Sequence, residues 1–98
     1  MTDAFENYLS LEKKYSSHTV TAYLADVQEF AAYLTEVEPT MLLPLVNYSL
    51  IRSWIIHLVE SGITNRSINR KLASLKAYYA FLVRTLAIKA SPFVPHIP

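Results

Sequence analysis

The 98 residues suffice for one small domain with one core, and 52% apolar residues argue against disorder. The absence of Cys removes disulfides and Cys-based metal or redox chemistry, and no apolar run is long enough to span a membrane. The net charge of +1 hides an asymmetry: residues 1–60 hold three cations and all eight carboxylates, giving −5, whereas residues 61–98 hold six cations and no acid, giving +6.

The first predicted helix covers about residues 3–14. Asp3 is a candidate N-cap with Glu6 three residues on, and Phe5, Tyr8 and Leu9 form its apolar stripe, continued by Leu11 or Glu12. The second opens at Ser16 or Ser17 and ends near Glu36, before Pro39. Val20, Tyr23, Leu24, Val27, Phe30, Ala31 and Leu34 recur along it at helical spacing. VEPTMLLPLVNY, residues 37–48, is a connection in which Pro44 breaks any helix. The third helix starts at Asn47 or Ser49. It should bury Leu50, Ile51, Trp54, Ile55, Leu58 and Val59, with Gly62 past its C-terminus. The fourth starts at Thr64 or Asn65 and runs to about Leu86, with Ile68, Leu72, Leu75, Tyr79, Leu82 and Leu86 in one narrow arc. The tail AIKASPFVPHIP carries three prolines and reads as an extended exit segment or linker. No stretch alternates like a strand over a useful length. The expected fold is all-α, a four-helix bundle.

Charge asymmetry between halves points to an anionic partner, or to a solvated face balanced by the first half in space. On the fourth helix, Arg66, Arg70, Ala73, Ala77 and Arg84 lie opposite Ile68. Arginines in the first two turns, followed by alanines, let a partner approach closely. Ser67 and Asn69 flank them and can donate to phosphate or base edges. The helix N-terminus adds free N–H groups and a positive dipole end. Such a helix can enter a DNA major groove by its N-terminal end. The second helix repeats the design more weakly: His18, Ala22, Ala25 and Glu29 lie opposite Val20, with Thr21 beside them. Asp26 and Glu29 come later, so only its first turns suit DNA, because a buried carboxylate near phosphates would be costly.

His18, His57 and His96 lack metal spacing, and no cofactor motif is present. Tyr23, Tyr78, Tyr79 and Trp54 read as core. No paired carboxylates, nucleophile–base spacing or phosphate loop supports a free-standing enzyme. A competing reading is a protein–protein interaction module that docks through the first helix or residues 93–97, without nucleic acid.

YSSHTVTAYLADVQEFAAYL and GITNRSINRKLASLKAYYAFLVRTLAIKASPF resemble the second helix, and the fourth helix and exit, of tyrosine recombinases (phage-type integrases). FENYLSLEKKYS and LIRSWIIHLVESG resemble their first and third helices, and the ordered set covers nearly the whole chain. The resemblance implies the N-terminal core-binding domain, a SAM-like orthogonal bundle of four helices, over residues 1–86. Residues 87–98 would then lead toward a C-terminal catalytic domain acting in cis. It implies double-stranded DNA as partner, gripped by the second and fourth helices in adjacent major-groove surfaces. The contacts carried over are His18, Thr19, Thr21 and Ala22 on the second helix and Arg66, Ser67, Asn69 and Arg70 on the fourth. Lys71 and Lys76 would lie nearer the flanking phosphates. Other recombinase protomers would meet the first helix, and a cytoplasmic location is expected. Nothing here matches the family's catalytic arginines, His-rich motif or nucleophilic Tyr, so this chain by itself should not cleave DNA.

Overall fold

The computed structural model describes residues 3–93. Helix α1 (Asp3–Asn7) runs on into a π-helical turn, Tyr8–Glu12. The other helices are α2 (Ser17–Val37), α3 (Tyr48–Glu60) and α4 (Asn65–Arg84), with a 3₁₀ turn at Leu43–Leu45. There is no strand among the described residues.

Each long helix starts at a side-chain cap. The oxygens of Ser16, Asn47 and Thr64 accept from the backbone N–H of Thr19, Leu50 and Ser67 at 3.3, 3.0 and 3.3 Å. Each bond satisfies one donor that the helix itself leaves free. The termination signals differ in visibility. After α3, Gly62 sits at φ +83, with Gly62 N–H donating to Val59 O and Ile63 N–H to Leu58 O. This is the Schellman pattern, in which glycine takes the left-handed position without a Cβ clash. After α4 the same pattern recurs with Leu86 at φ 63: Leu86 N–H donates to Val83 O and Ala87 N–H to Leu82 O. The fourth helix therefore ends at Arg84. Leu86, expected in its apolar arc, lies outside it and is 89% exposed.

The core is continuous from Phe5 through Val27, Phe30, Ile51, Trp54, Leu75 and Tyr79. Helix α4 packs mainly against α2, and α3 also packs against it. Phe30 and Trp54 join α2 to α3, with ring centroids 5.0 Å apart. The Tyr33 and Ser53 hydroxyls share a hydrogen bond across the same contact. Tyr79 is fully buried and donates its hydroxyl to Leu43 O at 2.8 Å, tying the connection to α4; burial, reinforced by Tyr78, pushes its phenol pKa up. On α3, Ile51, Trp54 and Leu58 are buried and Leu50 and Ile55 partly so, but Val59 is 57% exposed. The α3 stripe is thus narrower than its apolar residues suggested. Leu11 on the π-helical turn also faces out. Ile88 and Phe93 pack against the core, so the exit segment is not extended over residues 87–93. Its remaining residues, 94–98, lie outside the described ones.

Candidate nucleic-acid interface

The first turns of α4 present Arg66, Asn69 and Arg70 to solvent, with Ser67 half-buried beside them. Ser67 accepts from the Thr64 hydroxyl at 3.2 Å as well as capping through its own N–H, which fixes this end of the helix. Arg66 has no ion-pair partner among the described residues. On α2, His18 and Thr21 are exposed and Thr19 and Ala22 are half-buried. Thr19 accepts from the Ser16 hydroxyl at 3.1 Å.

These two faces are joined by an ionic seam. Asp26 of α2 has its side chain 1% exposed and takes bonds from three residues of α4. Arg70 donates from Nε to Oδ2 at 3.1 Å and from Nη2 to Oδ1 at 2.7 Å. Ser74 donates to Oδ2 at 2.6 Å, and Lys71 Nζ lies 3.4 Å from Oδ1. Lys71 also donates to Glu29 at 2.9 Å. Two carboxylates thus face two cations, so the seam carries no net charge. No buried side-chain polar atom among the described residues lacks a hydrogen-bond partner. Such satisfaction is the condition under which a buried ion pair is tolerated. The hydrogen bond to Asp26 is the chief cause that raises the Arg70 pKa, so the guanidinium stays charged.

The seam changes the charge reading. Of the six cations in residues 61–98, Arg70 and Lys71 are balanced by Asp26 and Glu29, and Arg84 pairs with Glu12 at 2.7 Å. The balance from the first half is therefore real for three of them. Lys71, expected beside flanking phosphates, has only 8% of its side chain exposed and is held inside the seam. Arg70 keeps 47% of its side chain in solvent despite its pairing. Lys76 is exposed, with Nζ 5.7 Å from the Phe93 ring centroid. Ala77, placed opposite the core by its spacing, instead packs partly against it.

Asp26 and Ser74 are the residues that spacing did not single out. At about 100° per residue, Asp26 falls beside Phe30 and Tyr33 rather than on the open face, and Ser74 beside Tyr78 and Phe81. Polar residues within an apolar arc on two different helices were the available signal.

An apolar groove of about 450 Å³ lies elsewhere, lined by Ala31, Leu34, Met41, Leu43, Pro44 and Tyr78 among others. Phe93, one candidate protein-docking residue, is instead seated against Tyr79 and Tyr48. No helix among the described residues is long and apolar enough to cross a membrane.

The family model of the phage integrase N-terminal SAM-like domain matches residues 2–85. The chain is similar to the tyrosine recombinase XerC of Lacticaseibacillus casei, 37% identical over 90 residues, which are 92% of this chain and 30% of that protein. It is also similar to tyrosine recombinase XerC of Oceanobacillus iheyensis, 35% identical over 97 residues (98% of this chain, 32% of that protein). That of Bacillus subtilis is 32% identical over 95 residues, 96% of this chain and 31% of that protein. The chain thus spans about 30% of the length of these relatives. No solved structure matches it. The all-helical architecture, the order of its four helices and the match over residues 2–85 agree: the chain belongs to the phage integrase family, as its N-terminal SAM-like domain.

Proposed function

We propose that this domain binds duplex DNA as the N-terminal, core-binding part of a site-specific tyrosine recombinase, with a role in DNA integration and recombination. The observation that carries this reading is the exposed face of Arg66, Asn69 and Arg70 at the N-terminus of α4, fastened through Asp26 to the middle of α2. His18, Thr19, Thr21 and Ala22 extend the contact on α2, and Ser67 and Lys76 on α4. Lys71 serves the seam instead. Two helix N-termini direct free N–H groups and positive dipole ends toward the phosphates. Carboxylates close to this face do not repel DNA, because each is matched by a cation. Strand cleavage and exchange are assigned to a catalytic domain in cis, which the longer relatives have room for, reached through the segment from residue 87. Other recombinase protomers on the same DNA are the further partners, and the location is cytoplasmic.

Arg66→Glu tests the reading, because Arg66 is exposed and takes no part in the seam. Reversing Arg70 instead would place a carboxylate against Asp26 and disturb the fold. Binding of a mixed-sequence duplex, followed by fluorescence anisotropy from low to moderate salt, should weaken in Arg66→Glu. The salt slope should also fall by about one, as for the loss of one phosphate contact. Unchanged affinity and slope in a folded variant would count against DNA binding by this face.

A further inference from the structure

Arg70 is half in solvent yet is not free to turn. Both of its bonds to Asp26 use one side of the guanidinium, the edge formed by Nε and Nη2. A guanidinium has five N–H donors in a rigid plane, and side-on pairing engages two of them. Of the three remaining hydrogens, one on Nη1 and one on Nη2 form the adjacent, end-on edge. That edge is a fork of parallel donors, suited to two adjacent acceptors: O6 and N7 of guanine in the major groove, or two oxygens of a phosphate. Asp26 cannot swing to follow a mobile arginine, since it is buried and also accepts from Ser74 and Lys71. Arg66, about one turn earlier on α4, has no such anchor among the described residues.

We infer that Asp26 is a positioning residue that presets Arg70 as the base-reading group of this domain, its free fork directed at a guanine edge, while Arg66 supplies sequence-independent phosphate contact. The inference rests on the DNA-binding reading above and deepens it. A guanidinium already fixed in one orientation loses little side-chain freedom on meeting a base, and it meets a misplaced base badly. The same carboxylate draws Lys71 inward, which keeps a flexible cation out of the reading face.

The test uses the 98-residue chain and a duplex library with a randomised core. Bound duplexes are selected and sequenced for the wild type, Asp26→Asn, Arg70→Lys and Arg66→Ala. The preferred duplex is then compared with a shuffled one, and with one carrying 7-deazaguanine, which lacks N7, at the enriched guanine. The wild type should enrich guanine at one position, and deaza substitution there should weaken binding. Asp26→Asn and Arg70→Lys should each lower discrimination between preferred and shuffled duplexes about tenfold, whereas a merely structural loss would weaken both duplexes by the same factor. Arg66→Ala should weaken both duplexes alike. Discrimination unchanged in a folded Asp26→Asn overturns the inference. Equal binding of all sequences by the wild type also overturns it, leaving a phosphate contact and DNA binding intact. No binding of any duplex at low salt overturns the DNA-binding reading itself. If Asp26→Asn does not fold, the free wild type supplies a second readout. A resolved, slowly exchanging Arg70 Nε–H resonance supports the anchored guanidinium, and an averaged one overturns it.

Discussion

Where α4 meets α2, its N-terminal half is held by directional polar bonds: Asp26 on Arg70, Lys71 and Ser74, and Glu29 on Lys71. Where it meets α1 and the π-helical turn after it, its C-terminal half is held by apolar surface. Phe5 stands edge-on to Tyr78 at 5.2 Å and tilted against Phe81 at 5.5 Å, and Tyr8 reaches Phe81 at 5.3 Å. The only ion pair between these two helical ends among the described residues is Glu12–Arg84, exposed on both sides. Apolar burial is non-directional and stabilises many nearby arrangements. A satisfied buried ionic cluster has few alternatives, since each misplacement leaves a charge without a partner. The seam therefore sets the relative placement of the two proposed DNA-facing helices, and the aromatic end supplies stability.

Substitutions can break this contrast, because the two ends should fail differently. Phe5→Ala should cost about 4 kcal/mol in denaturant unfolding, within the range for emptying a buried aromatic site. DNA affinity of the fraction still folded should be near that of the wild type. Asp26→Ala should cost about 3 kcal/mol, because Lys71 remains buried with only Glu29 opposite it. Unlike Phe5→Ala, it should also degrade DNA binding. Equal effects of the two on binding would remove the distinction between the ends. Thr64→Ala, which deletes the α4 cap, should cost about 1 kcal/mol and loosen the helix end that carries Arg66. Glu12→Gln should change stability by less than about 0.5 kcal/mol, because its pair with Arg84 is exposed and screened.

What was legible in the sequence followed from local chemistry. Ser16, Asn47 and Thr64 each cap the helix they precede, Gly62 closes α3, and Trp54 and Tyr79 lie in the core as their spacing required. The end of α4 was less visible, because Leu86 takes a left-handed position usually held by glycine. Its apolar side chain continued the periodic pattern although the backbone had already turned. Val59 misled for a related reason: it lies at the edge of a stripe whose centre is Trp54 and Leu58, and no element covers it. The seam was hidden because pairing across 44 to 48 residues leaves no mark on helical periodicity. Arg70 and Lys71 were thus found as cations, without the carboxylates that organise them.

The most direct measurement of the central claim is an amide chemical-shift titration of the isotopically labelled domain with a mixed-sequence duplex, first at low and then at moderate salt. The account predicts shifts clustered in residues 17–25 and 64–74 that fade as salt rises. An absence of shifts at low salt, or shifts confined to the first helix and the C-terminal tail, would contradict it and leave the arginines as a solvated face.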